Sequence, residues 1–197
     1  TGRTALGLSR YHLDHLLLAR SQTAGATICQ GARVREVVRE GERVVGVAAT
    51  VNGTRELLRA SLVIGADGHH STVSRALGLD VPVRWPRKTG LAAHYRGVTG
   101  LAECGEMHVG HGVYAGLAPL EAGLTNVAVV TDVAAVAARA GSIEDYFAAA
   151  LDQLPEAAGK LARAERVGGI RGVGGMARRA RRVTGDGVLL IGDAAAF

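Results

Sequence analysis

The chain has 197 residues, a length that is enough for one domain with a core or for two small domains. Its composition, 48% hydrophobic and 21% charged residues, excludes a disordered chain. The net charge is +5, and the densest group of basic residues is an arginine cluster at residues 178–182. No aromatic residue lies in this cluster, so we expect no nucleic-acid partner. We expect the cluster to be a solvated loop that attracts at most an anionic cofactor or substrate. No apolar run is long enough to span a bilayer and no signal peptide is visible, which predicts a cytoplasmic protein without a transmembrane segment.

The first third of the chain predicts a helix followed by a small antiparallel sheet. Apolar residues recur at helical spacing over residues 10–24, with Ser9 as a candidate N-cap and Gly25 placed to end the helix. Residues 26–29 are predicted to form a short strand. Strands with alternating apolar residues are predicted around the hairpin signal Asn52-Gly53, at residues 33–39, 43–51 and 54–59.

The remaining two thirds predict two buried strands on either side of a second sheet. The buried strands are the apolar runs in residues 61–65 and 183–191. Between them, Pro82 and Pro86 mark a boundary, and glycines separate several strand-like segments over residues 91–131. Helical segments are predicted at residues 70–77, at residues 143–154 with Ser142 as N-cap, and as a continuation at residues 161–166.

Neither the cysteines nor the histidines fit a metal site. Cys29 and Cys104 lie far apart in the sequence, and we expect buried or neutral thiols in a reducing compartment. His12 and His15 could share a face of the predicted helix, but no further ligand is arranged near them. We therefore expect no metal ion and assign both histidines a surface or packing role.

Two short apolar strands each end in a small residue and an aspartate. The first leads into Gly65-Ala66-Asp67-Gly68, and the second leads into Gly192-Asp193-Ala194-Ala195. In open α/β sheets, ligands bind at the carboxyl ends of parallel strands, where a carboxylate can accept hydrogen bonds from ribose or ribityl hydroxyls. A following helix can present its N-terminus to a phosphate. Each motif alone is explained equally well by a strand, a turn and an aspartate that caps a helix, but both together favour a binding site.

At these residues the chain resembles the flavoprotein monooxygenase and geranylgeranyl (prenyl) reductase superfamily, which has the para-hydroxybenzoate hydroxylase fold. Asp67-Gly68 with Ser71 and Arg75 resembles the family's DG motif, and Gly192-Asp193 resembles its GD motif. The resemblance implies an α/β fold with mixed α+β character: part of a Rossmann-like FAD-binding domain with an inserted antiparallel-sheet substrate domain. The implied domains are residues 1–80 (FAD-binding), 81–182 (substrate-binding) and 183–197 (return to the FAD-binding domain).

The resemblance also implies FAD as cofactor, NAD(P)H as its reductant, and a set of residues that contact the cofactor. The matching positions are Arg10, Val34, Asp67, Gly68, Gly192, Asp193 and Ala194. Asp193 would bind ribityl or ribose hydroxyls, with Gly192 and Ala194 near the pyrophosphate. Asp67 and Gly68 would lie close to the cofactor and affect NAD(P)H use.

The other two matching positions lie in the first part of the chain. Arg10 would approach the FAD from the start of its helix. Val34 would lie near the adenine and contact it through its backbone.

The chain departs from the family pattern in two places. The family begins with a strand, a G-x-G-x-x-G turn and a helix, whereas this chain has only the Gly-rich stretch at residues 172–177, which we interpret as a loop. Ala196 stands where relatives commonly have glycine, and the family continues beyond Phe197. We therefore expect this chain to be a fragment that binds FAD poorly by itself.

Several reactions fit the same flavoprotein pattern. The first is an NAD(P)H-dependent monooxygenase that acts on an apolar or aromatic small molecule; the alternative is a prenyl-type reductase of alkenes. A flavin halogenase is disfavoured because the Trp-rich motif is not visible, and a non-catalytic nucleotide-binding or degenerate flavoprotein module stays open. Residues 91–131 are expected to cover the flavin ring and line the substrate pocket, with candidate residues His94, Tyr95, His108 and Tyr114. The substrate, the nicotinamide preference and the oligomeric state are left open.

Overall fold

A computed structural model describes residues 7–83, 87–102, 104–138, 141–174 and 177–197. The chain divides into two compact units: residues 1–26 with 87–175, and residues 27–86 with 176–197. The predicted mixed α/β class is confirmed, since helices and sheets alternate along the chain. The division into cofactor and substrate domains at residues 1–80, 81–182 and 183–197 stays a prediction. Pro86, and Gly175 and Met176 of the Gly-rich stretch, lie outside the described residues.

The helices and strands are numbered in chain order. The helices are α1 (Arg10–Thr23), α2 (Thr72–Ala76), α3 (Val133–Ala137), α4 (Ile143–Asp152) and α5 (Pro155–Leu161). The strands are β1 (Arg33–Glu40), β2 (Arg43–Val51), β3 (Thr54–Arg59), β4 (Val63–Gly65), β5 (Asp80–Pro82), β6 (Lys88–Arg96), β7 (Glu106–Val109), β8 (Val113–Pro119), β9 (Leu124–Asp132), β10 (Glu165–Val173), β11 (Arg178–Ala180), β12 (Thr184–Gly185) and β13 (Val188–Leu190). No helix of the described part is long and apolar enough to cross a membrane.

The first unit is built on an antiparallel sheet with the strand order β10-β6-β9-β8-β7. One face of this sheet packs against α4 and α5, because alternate strand residues such as Leu117, Val127 and Val129 are apolar and fully buried against Phe147. Helix α4 begins at the predicted N-cap Ser142, which forms a capping box with Asp145. Residues of the other face, such as Ala92 and Ala118, line a cavity.

The second unit combines a hairpin sheet with a short parallel pair. Strands β1, β2 and β3 are antiparallel, and the predicted Asn52-Gly53 turn has positive φ at both residues (50° and 84°), as a type I′ turn requires. Strands β13 and β4 pair in parallel, and β12 adds an antiparallel edge. A small apolar core joins these elements: Val44, Val73, Leu79, Val188 and Leu190.

Two expected elements are wrong, and one of the two alternatives for the cysteines, burial, is excluded. Residues 26–29 do not form a strand, because none of the described strands pairs with them. The helix continuation at residues 161–166 is replaced by the end of α5 and the start of β10, which gains backbone hydrogen bonds by pairing with β6. Cys29 and Cys104 are free thiols that lie in loops and are exposed, not buried.

Candidate functional site

The two aspartate motifs emerge at the same edge of one sheet. Gly65 and Leu190 are partners in the parallel ladder of β4 and β13, and the Ile191 N–H donates to the Gly65 carbonyl at 3.0 Å. Asp67 and Asp193 follow these partners by two and three residues. Both acids therefore lie at the carboxyl ends of neighbouring parallel strands, which is where ligands bind in open α/β sheets.

Close packing behind this edge depends on Gly65. A Cβ atom at Gly65 would lie 2.7 Å from Leu190 Cδ2 and 3.1 Å from Val73 Cβ. Real Cβ atoms essentially never approach another atom to 2.7 Å, so the absence of a side chain lets α2 and β13 close on β4. This small residue fixes the spacing of the two motif loops.

The Asp67 carboxylate is bonded to its own chain. Asp67 Oδ2 accepts from the backbone N–H of Thr72 at 2.6 Å and of Val73 at 3.2 Å. Ser71, the N-cap of α2, accepts from the Ser74 N–H at 2.9 Å. The first N–H groups of α2 are thus satisfied within the chain, and Asp67 holds the loop that carries Gly68.

Asp193 differs from Asp67 in having no internal partner. It is exposed in a 3₁₀ turn, Gly192–Ala194, and among the described residues its carboxylate makes no hydrogen bond or ion pair. The buried Ala194 side chain anchors this turn, so only its backbone can face a ligand. Gly192 and Gly68 have positive φ, 58° and 77°, and at either glycine no atom lies within 4 Å of the position that a Cβ would take. The backbone is accessible at both turns.

A histidine that the sequence analysis did not single out lies between the two motifs. His69 follows Gly68, and its ring centroid lies 4.7 Å from that of His70 and 5.6 Å from that of Phe197. Both ring nitrogens are buried, and neither has a hydrogen-bond partner among the described residues. The only signal in the sequence was the position of His69 inside the DG motif.

Val34 lies on an edge strand of the hairpin sheet. It pairs with Ala49, and the register of β1 shifts between Val34 and Glu36. Since β1 has a partner strand on one side only among the described strands, part of its backbone is available to a ligand, as a backbone contact with adenine needs.

Arg10 lies in the first unit, at a cavity of about 530 Å³. The polar side chains that line the cavity are Ser9, Arg10, Tyr11, His94, Asn126 and Arg171. The Arg10 guanidinium is largely exposed and lies 3.1 Å from Asp14, and Arg171 donates to the Tyr11 hydroxyl with its guanidinium 5.5 Å from the Tyr11 ring. The cavity lining therefore includes two arginines, of which Arg10 is paired with Asp14.

The cavity wall at Arg10 is fixed by a bond between Ser9 and Glu121. The Ser9 N–H donates to Glu121 Oε2 at 2.8 Å, and its hydroxyl donates to the other carboxylate oxygen. These bonds hold the pKa of the Glu121 carboxyl below its ordinary value. Because Ser9 is also the N-cap of α1, the carboxylate ties the start of this helix to the sheet.

The four candidate pocket residues do not share one face of the sheet. His94 lines the cavity, and Tyr114 is on the same face, since it alternates with the buried Val113 and Ala115. Tyr95 points to the opposite face and packs against the helix-covered core, where burial raises its pKa despite the nearby Arg166 charge. The expectation that all four residues line one pocket is therefore wrong.

His108, the fourth candidate, also lies on the helix-covered side. Its Nε2 is 3.1 Å from Glu106 Oε2, and Glu106 also lies 3.3 Å from Lys160 Nζ of α5. This group of charges links β7 to α5. In the part of the chain that the structure describes, no group of three or more His, Cys, Asp or Glu side chains could hold a metal ion.

Comparison with protein families gives a match over the whole chain. The family model described as "FAD binding domain" matches residues 1–197. Among curated proteins, an Escherichia coli protein named as a probable electron transfer flavoprotein-quinone oxidoreductase is 42% identical over 77 residues, 39% of this chain and 17% of that protein. Digeranylgeranylglycerophospholipid reductase 1 of Methanococcoides burtonii is 38% identical over 77 residues, 39% of this chain and 19% of the reductase.

Solved structures agree with the observed fold. The myxobacterial chondrochloren halogenase CndH, an FAD-dependent halogenase, has a TM-score of 0.92 and 27% identity, covering 98% of this chain and 46% of the halogenase. A geranylgeranyl bacteriochlorophyll reductase-like protein from Thermoplasma acidophilum has a TM-score of 0.78 and 24% identity, covering 94% of this chain and 47% of that protein. This chain thus spans less than half of the length of either structure.

Proposed function

The chain belongs to the FAD binding domain family, and from this membership we propose that the protein is an FAD-dependent oxidoreductase that holds FAD at the edge formed by β4 and β13. The observation that carries this proposal is the Asp193 carboxylate, which is exposed beside the open Gly192 backbone and lacks a partner among the described residues. A charged acceptor held at a strand end suits a sugar or ribityl hydroxyl.

The residues at this edge fit the cofactor in three respects. Asp193 offers a free acceptor, Gly192 and Gly68 leave room for a ligand to reach the backbone, and the two ring nitrogens of His69 need hydrogen-bond partners. Asp193 would accept a ribityl or ribose hydroxyl, and the backbone of Gly192 and Ala194 would lie near the pyrophosphate.

The remaining matched residues would have separate roles. Asp67 would keep Gly68 in place through its bonds to α2, and the edge backbone at Val34 would meet the adenine. Arg10 lies in the other unit, on the exposed start of α1, where it would release its ion pair with Asp14 to contact the anionic cofactor. When bound, FAD supplies the electron transfer, while the chain supplies binding and orientation.

For the reaction, we propose hydroxylation of an apolar or aromatic small molecule, with NAD(P)H as reductant. The face of the sheet opposite α4 and α5 supports this proposal. Its small residues Ala92 and Ala118 form the floor of the cavity and leave space for a flat ring. His94 and Asn126, which are cross-strand neighbours and also line the cavity, could orient a polar substituent of that ring. The cytoplasmic location stays a prediction.

The second candidate is reduction of an alkene. It is favoured by the 38% identity to the digeranylgeranylglycerophospholipid reductase, over 39% of this chain. The same small-residue floor would accept an unsaturated prenyl chain, so the geometry of the sheet serves either substrate. Halogenation is a third candidate, supported by the 27% identity to the halogenase CndH. The sequence disfavours this reaction because the Trp-rich motif is not visible.

One experiment separates these reactions. The complete enzyme is reduced chemically without oxygen and supplied with aromatic and unsaturated prenyl substrates, and oxygen and halide are then added in turn. The proposal predicts that the flavin reoxidises only after oxygen is added and that labelled oxygen enters an aromatic product. Anaerobic reoxidation with hydrogenation of a prenyl substrate would instead establish the reductase, and a product that contains halogen only when halide is present would establish a halogenase.

A further inference from the structure

We propose that His69 is a cofactor-contacting residue that donates a hydrogen bond from its ring to the bound FAD; the inference rests on the proposed function of the β4–β13 edge. No family motif assigned a role to this side chain. The observations behind it are the position of the imidazole, the burial of its two nitrogens, and the absence of partners for them among the described residues.

The position of His69 links the two motif loops. Its backbone follows Asp67-Gly68 at the end of β4, and its ring meets the ring of Phe197, four residues after Asp193. The backbone of Phe197 is itself fixed, because its N–H and C=O both bond to Arg178 of β11. His69 is therefore held between the loop that carries Asp67 and the segment that follows Asp193.

The chemistry of the ring demands a partner. A neutral imidazole has one N–H donor and one acceptor nitrogen, and a protonated ring has two donors. Buried polar atoms in native proteins almost always form hydrogen bonds, and burial without one costs free energy. Its neighbours His70 and Phe197 make edge contacts with the ring and accept no hydrogen bond from its nitrogens. Because both nitrogens are closed off from solvent in this structure, the ring would have to turn outward for a ligand at this edge to reach them. A ligand rich in hydroxyl and phosphate oxygens would then supply the missing acceptor.

The test replaces the imidazole by a ring without nitrogen. His69→Phe keeps a planar ring between His70 and Phe197 but removes both polar atoms. We expect FAD to bind the complete apoprotein roughly tenfold more weakly, which is the effect of losing about one hydrogen bond to a charged or polar ligand. The apoprotein should also melt at the same or a higher temperature, because the variant no longer buries two unpaired nitrogens. His111→Phe, at an exposed histidine of the other unit, is the matched control and should change neither quantity.

Titration by flavin fluorescence and thermal unfolding without FAD give distinct outcomes. If wild-type apoprotein does not bind FAD, the proposed function itself fails. If wild type binds FAD and His69→Phe binds it equally well, the inference about His69 is wrong. A lower melting temperature with unchanged FAD affinity would mean that another part of the protein forms the hydrogen bond with the His69 ring. A raised KM for NAD(P)H with unchanged FAD affinity would mean that the reductant forms it. Both of these results would also overturn the inference.

Discussion

Asp67 Oδ2 lies 2.6 Å from the backbone nitrogen of Thr72, so the acid of the first motif is bonded to the helix that follows it. The acid of the second motif, Asp193, has no such bond among the described residues. Two motifs that look alike in the sequence therefore differ in their structural roles. Asp67 bonds the loop at the sheet edge to α2, whereas the Asp193 carboxylate is exposed and unbonded among the described residues.

Replacing Asp67 should mainly reduce stability. Asp67→Ala leaves the N–H groups of Thr72 and Val73 without their acceptor, and loss of a capping side chain costs about 0.5–2 kcal/mol. Asp67→Asn keeps one oxygen acceptor and should lose less. Chemical denaturation of the apoprotein measures both changes. An unchanged free energy of unfolding in Asp67→Ala would show that this carboxylate does not order the loop.

Gly65→Ala should destabilise the second unit. The added Cβ would lie 2.7 Å from Leu190 Cδ2, and overpacking of a well-packed core typically costs about 1–3 kcal/mol. Gly159→Ala is the control, because no atom lies within 4 Å of the Cβ position there and alanine is favoured in a helix such as α5. Equal stability of Gly65→Ala and wild type would contradict the close packing of β4, α2 and β13.

The Glu106 carboxyl should contribute to acid sensitivity. Partial burial raises its pKa, but the hydrogen bonds and charges of Lys160 and His108 outweigh burial and lower the pKa below the ordinary value of 4.5. A lowered pKa in the folded state adds stability above the ordinary pKa, and this stability is lost as the pH falls through the folded value. Glu106→Gln should thus be less stable than wild type at pH 7, and the difference should shrink below about pH 4.5.

Thermal unfolding from pH 7 to pH 3 measures this difference. Glu165→Gln, an exposed acid at the start of β10, is the matched control. A gap between Glu106→Gln and wild type that stays constant over the whole pH range would contradict the assigned ion pair.

Glu121 should control the order of helix α1 in the first unit. Glu121→Ala removes the acceptor for the Ser9 N–H and hydroxyl, so the first turn of α1 should open more often. We expect faster amide hydrogen exchange at residues 10–14 and little change in α4. If exchange in α1 stays as slow as in wild type, the carboxylate is not what anchors the helix beside the cavity.

Much of the secondary structure followed from local patterns. Asn52-Gly53 predicted the hairpin, and the capping residues Ser9 and Ser142 predicted two helix starts correctly. Strand β10 was missed because Gly168 and Gly169 interrupt its apolar pattern, so only its pairing with β6 makes it a strand. Such long-range pairing has no local signature.

The site was predicted less completely than the fold. The sequence located both motif strands, but it could not tell that Asp67 reaches back to Thr72 while Asp193 does not, because this depends on the path of each turn. The misplacement of Tyr95 was avoidable, since adjacent residues of a strand point to opposite faces and His94 and Tyr95 could not line the same one. His69 was missed because the lack of partners for its nitrogens depends on the three-dimensional surroundings.

The affinity of Asp193→Ala for FAD tests the central claim most directly. The complete apoprotein is titrated with FAD, and its thermal unfolding is measured without FAD. The variant should bind FAD at least about tenfold more weakly than wild type, because a hydrogen bond to a charged group contributes roughly 1.5–3 kcal/mol. The stability of the apoprotein should change by less than about 0.5 kcal/mol, since the carboxylate has no partner among the described residues. Asp152→Ala, an exposed acid at the end of α4, is the control and should leave FAD affinity unchanged. Loss of stability in Asp193→Ala with unchanged FAD affinity would contradict the account, because Asp193 would then be a structural residue and not a cofactor ligand.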